Sequence, residues 1–357
     1  MIHPLPPIRL TGAEVLRDGR LQRRSIALAE GRLTRGPLPE VDLEGFLVLP
    51  GAIDLCPGGP DPALTDAATA AAGITTACLT LNWTWPQGPD TAEALDIGLR
   101  AAARHRLSMR GDLRLHLAVE MHLLDDTDRL IETVRRNRIG LVTFTDGLDA
   151  ALVSPVPVPP EQDRARQAMA ARRRELPRHL CALAEAFDEM GVLYGTRADP
   201  DGEIRERHAM IGARLALFPA DRRAAVAARA MLCPVVLNAA SLLKGGADLA
   251  HAGEGLASAL ASDGHPQALA QAAFALADSG RMGLGQAWDL VSAGPAAILR
   301  LADRGRIEPG LRADLSVFNQ ATRRCEATIV RGRLVHAEAE AAARFARLLP
   351  LHRHAAE

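Results

Sequence analysis

The feature that most restricts the fold is a repeat of eight short apolar runs alternating with stretches of helical periodicity. The runs cover 52–55, 75–81, 113–120, 140–145, 192–194, 214–218, 235–237 and 256–261. Parallel strands buried on both faces read as such runs, and joining them requires long crossovers, usually helices. Stretches such as "DTAEALDIGLRAAARHR" and "DDTDRLIETVRRNR" supply the helices, the second with Asp125 and Asp126 placed for a helix start. Eight repeats predict an α/β fold, a (β/α)8 TIM barrel over 51–304, rather than an open sheet. The Pro-rich "SPVPVPPEQ" opens an insertion around 148–190 that carries two further helices.

The two chain ends read differently. Their short apolar runs are broken by Asp18-Gly19, Glu30-Gly31 and Arg331-Gly332, pairs suited to tight hairpins. Residues 1–50 and 305–340 are therefore expected to form one small β-sandwich domain together, leaving 341–357 as a tail. The chain has 357 residues, 48% hydrophobic and 24% charged, which fits a soluble globular protein. A net charge of −1 gives no electrostatic case for nucleic acid or an anionic membrane as partner. No apolar run reaches the roughly 18 residues of a membrane span, and the start lacks a signal peptide's basic segment and apolar core. Five scattered cysteines, an odd number without CxxC spacing, suit a reducing cytoplasm. Lys244 is the only lysine, so a carbamylated lysine bridging two metals could sit nowhere else.

"LVLPGAIDL" at the first strand, with "ADRGRIEPGLRADLSVFN" and "VRGRLV" near the end, resembles the amidohydrolase superfamily. "AAGITTACLTL", "DLRLHLAVEM", "GARLALFPADRRAA", "LLKGG", "GLASALASDGHP" and "GLGQAWDLVSAGPAAILRLADRG" resemble its phosphonate-pathway branch. Those are the α-D-ribose 1-methylphosphonate 5-triphosphate diphosphatases. The resemblance implies a hydrolase releasing pyrophosphate from a triphosphorylated ribose phosphonate, with divalent metals at the C-terminal mouth of the barrel. Metals there neutralise phosphate charge and generate hydroxide from water.

The ligands that the resemblance implies are mostly missing. The His-x-Asp of strand one falls on Cys56-Pro57-Gly58, and the strand-five histidine falls on Thr196, followed by Arg197. A fixed arginine cation repels a metal yet can face a phosphate. Glu120, Asp146 and Asp263 remain as possible ligands, with Asp263 at the family's proton-handling position. The expected cofactor is none, or one weakly bound zinc or manganese. Lys244-Gly245-Gly246 reads either as a phosphate cradle with Arg197 opposite or as a plain turn.

Other groups carry two readings each. His116 shares a strand face with Glu120, as a core histidine or a ligand. His122, His208, His251 and His265 form no ligand pattern and read as surface or loop residues. Trp83 and Trp85 could stack on a base or sugar, or simply pack. Arg172-Arg173-Arg174, with Arg164 and Arg166, could face a triphosphate or only solvent. Two functions follow. One is a hydrolase by descent with a remodelled site; the other is a catalytically inactive relative binding a small phosphorylated molecule or a pathway partner.

Overall fold

The computed structural model describes residues 3–84, 90–153, 158–245 and 247–347. Eight parallel strands follow chain order around one sheet: β1 (Ala52–Asp54), β2 (Ile74–Trp83), β3 (Asp112–Glu120), β4 (Leu141–Thr145), β5 (Leu193–Arg197), β6 (Ala216–Leu217), β7 (Val235–Asn238) and β8 (Ala259–Ala261). They are the strands expected, shifted by a few residues at their ends. Among the described residues no ladder joins β8 to β1; a side chain closes this gap. The buried Asp54 carboxylate accepts the backbone N–H of Cys56 at 3.0 Å and of Ser262 at 3.1 Å, tying the ends of β1 and β8 together.

Alternation along each strand separates the barrel interior from the helix layer. Cys56, Cys78, Leu141, Leu215, Leu217 and Val236 belong to one buried cluster inside the barrel. Leu79, Leu81, Leu117, Val119, Val142 and Phe144 belong to another, facing the helices. The helix Leu176–Met190 shows how the outer layer forms. It buries His179, Leu180, Leu183, Ala184 and Phe187, a stripe at three- and four-residue spacing, and Gly191 at φ 67° ends it. Phe187 stacks on Phe144 with centroids 6.2 Å apart. Burying each leucine or phenylalanine of the stripe stabilises the fold by about 1.5–3 kcal/mol.

Both chain ends build a second body of two packed sheets. One has seven strands, with His3–Pro4, Phe46–Pro50 and Cys325–Val330 among them; the other has four, including Ile8–Thr11 and Ile26–Ala29. Asp18 and Gly19, Glu30 and Gly31, and Arg331 and Gly332 all have positive φ. That is the conformation two-residue hairpins need to match strand twist. The helix Ala339–Ala346 covers this body, with Ala341 and Phe345 fully buried in its core. No described helix is long and apolar enough to cross a membrane.

Candidate functional site

The C-terminal ends of β1, β2, β5, β7 and β8 meet at one mouth, and strand parity decides which side chains enter it. On β5, Thr196 points outward. Its hydroxyl donates to Asp199 Oδ2 at 2.6 Å and accepts from Arg205 Nη1 at 2.6 Å, within the helix layer. The expectation that Thr196 occupies the ligand position is thereby corrected: the barrel turns Arg197 inward instead.

Arg197 Nη2 donates to Asp263 Oδ1 at 2.7 Å, Nη1 lies 3.6 Å from Cys56 Sγ, and the guanidinium sits 4.9 Å from the Phe218 ring centroid. Asp263 Oδ2 accepts from Asn238 Nδ2 at 2.9 Å. Thr80 donates to Cys56 Sγ at 3.5 Å. Burial pushes the Cys56 thiol up to about 11, so it is neutral near pH 7. Deeper in the barrel, His116 Nδ1 meets the Thr80 hydroxyl at 3.1 Å and Nε2 meets that of Thr143 at 2.8 Å. Burial first, then the nearby Arg197 charge, lowers His116 to about 3. It is a neutral interior histidine.

Gly58 has φ +73°, and a Cβ there would lie 2.5 Å from Gly264 Cα. The loop after β1 therefore lies directly on the loop after β8, where an aspartate side chain would have no room. A neutral thiol, a glycine, an outward threonine and a fixed guanidinium do not make a dinuclear metal centre. Cys56, Thr80, Asn82, Thr145, Arg197 and Asp263 line a cleft of about 750 Å³, a size suited to a small molecule.

A different cluster does offer donors. Glu120 ends β3, with Oε1 2.8 Å from His122 Nδ1 and Oε2 accepting the Gly147 N–H at 2.9 Å. Asp146 Oδ1 lies 3.8 Å from His122 Nδ1, and the three donor atoms fall within 4.8 Å of one another. His122 is buried, not a surface histidine, and sequence reasoning missed it because it lies past the strand end, outside any periodic pattern. Asp263 is not part of this cluster.

The phosphate cradle needs correction. Lys244 and Gly245 follow the helix Ala239–Leu243, and their N–H groups donate back to Ser241 O at 3.1 Å and Leu242 O at 3.0 Å. Helix-end carbonyls consume the donors an anion would need, so the pair is an exposed turn; Gly246 lies outside the described residues. Lys244 also does not line the cleft around Arg197. His251 is buried, His208 Nδ1 bonds Asp199 Oδ1 at 2.8 Å, and His265 is exposed. Trp83 is buried in the helix-facing core, whereas Trp85 lies outside the described residues. Arg172 is held by Asp125 at 2.8 Å and Glu175 at 2.9 Å.

A model described as "Amidohydrolase family" matches residues 259–336. The alpha-D-ribose 1-methylphosphonate 5-triphosphate diphosphatase of Escherichia coli (strain K12) is 39% identical over 123 residues, 31% of this chain and 32% of that protein. The match thus spans about a third of this curated relative's length. Among solved structures, the dihydropyrimidinase of Brevibacillus agri NCHU1002 superposes with a TM-score of 0.64 at 13% identity, over 93% of this chain and 95% of that one. A prolidase complexed with N-methylphosphonate-L-proline gives 0.62 at 16% identity, over 93% and 100%. At such identities the structures show the fold alone. The fold is thus similar to that of these enzymes along the barrel, and the likeness to the amidohydrolase family model runs from β8 into the closing sheet.

Proposed function

We propose that this chain is a catalytically inactive amidohydrolase relative whose barrel mouth binds a small phosphorylated molecule without a dinuclear metal centre. The observation that carries the reading is Arg197, whose guanidinium lies between Asp263 and Cys56 on the floor of the cleft. A guanidinium fork matches a phosphate's oxygens and cannot be discharged near neutral pH. The name of the E. coli relative, with its ribose, phosphonate and triphosphate, supports the ligand class. Asp263 competes with the ligand for the same guanidinium.

Calorimetric titration with ribose 5-phosphate tests this. Arg197→Gln is expected to weaken binding at least tenfold, equivalent to about 1.4 kcal/mol, and Asp263→Asn to strengthen it by freeing the guanidinium. Unchanged affinity in Arg197→Gln, or two metals per chain by elemental analysis, overturns the reading.

One observation favours a second reading, in which the ancestral hydrolase survives on a single metal. Glu120, His122 and Asp146 would hold a zinc or manganese ion, and three protein ligands suffice for a catalytic site. Such an ion lowers the pKa of bound water toward about 7. One metal per chain, lost in Glu120→Gln, together with metal-dependent pyrophosphate release from a triphosphorylated sugar, would favour it.

A further inference from the structure

At the opposite end of the barrel lies a cleft of about 770 Å³, set among the loops that lead into β3, β4 and β5. Arg106, Arg114, Arg136, Arg138 and Arg300 line it. The carboxylate among the lining residues is Asp112, already engaged by Arg304 at 2.5 Å and Arg312 at 3.1 Å. Among the described residues, Arg106, Arg136, Arg138 and Arg300 have no carboxylate within ion-pair distance. These four are exposed, and with Arg114, which lies 3.6 Å from Asp112, they line one concavity. Leu113, Leu115, Leu193 and Leu299 add apolar walls.

We propose that this cleft is a second binding site, for a small molecule bearing a polyphosphate group. Several guanidinium forks around one cavity can take successive phosphates by paired N–H···O bonds, while the leucines accept an apolar portion such as a base. Part of the arrangement has a simpler use. Arg106, Arg136 and Arg138 lie at the ends of the helices Ala92–His105 and Thr127–Asn137, where a cation favours the dipole. Arg300 likewise follows the end of the helix Ala293–Ile298; a dipole role accounts for these helix-end cations but not for Arg114 on β3, nor for the leucine walls of the same cavity.

The test uses the full chain, with inorganic tripolyphosphate and ATP as probes in calorimetry at low ionic strength. Both are expected to bind. The triple variant Arg136→Gln/Arg138→Gln/Arg300→Gln should weaken both at least tenfold. A charge-matched control, Arg20→Gln/Arg223→Gln/Arg333→Gln, should change neither. Tighter ATP binding identifies a nucleotide; equal binding identifies the polyphosphate group alone. Absence of binding overturns the proposal, as does a loss shared by the control or affinity unchanged in the triple variant. A purely dipolar role would appear as lower thermal stability of the triple variant in a protein that never bound the probes.

Discussion

His116 shows what a single residue's surroundings do to its chemistry. Its imidazole sits between two threonine hydroxyls beneath Arg197, and burial with that charge holds its pKa near 3. An unfolded histidine titrates near 6.5, so below that pH the unfolded chain takes up a proton that the folded chain refuses. Between about pH 6.5 and 3 this group therefore makes the fold lose stability as pH falls. His116→Gln keeps a donor and an acceptor for the threonines and removes the titration. Urea unfolding followed from pH 7 to pH 4 should show a shallower decline for the variant. Equal slopes would mean that His116 titrates in the fold as it does in the unfolded chain.

Among the structural elements, the loop after β1 has the most consequence for function. It closes onto the loop after β8 at Gly58 and Gly264, below the latch that Asp54 makes between the two strand ends. In Gly58→Ala the new methyl would meet backbone, and the residue would be forced to hold φ +73°. Left-handed strain of roughly 1–3 kcal/mol combines there with a contact that no rotamer can relieve. Gly264→Ala at φ +87° would meet open space and incur the strain alone. The expected order is a loss of about 2 kcal/mol or more for Gly58→Ala and about 1 kcal/mol for Gly264→Ala, read from urea midpoints. A reversed order would show that the loops are not in contact. Residues 56–58 were legible in the sequence as lacking ligands, but the reason a side chain is not tolerated at 58 is the distant residue 264.

For the whole molecule, the chain crosses from sheet domain to barrel and back, entering through Phe46–Pro50 and Ala52–Asp54 and returning to the strand Leu315–Asn319. The helix Ala339–Ala346 then seals the sheet core with Phe345 fully buried. Phe345→Ala should destabilise the protein by about 3–5 kcal/mol, measured by denaturant unfolding; a freely solvated chain end would lose almost nothing. The local signals were legible because they are short-range: apolar runs for eight strands, Asp-Gly and similar pairs for the hairpins, and the lost histidine pattern after β1. The remainder was not, because side-chain parity follows from register with neighbouring strands. Counting from Leu193 puts Arg197 inside and Thr196 outside, and nothing local to Thr196 reveals it. Burial of His122 against Glu120, and the use of the Lys244 and Gly245 amides by the preceding helix, were likewise decided by packing. The sequence by itself determined the two-body architecture and that no histidine or aspartate stands at residues 56–58, since both rest on which residues are present in which order. Only the tertiary structure decided that a cation fills the mouth and that unpaired arginines gather at the far end, because both depend on residues distant in the chain being brought to one place.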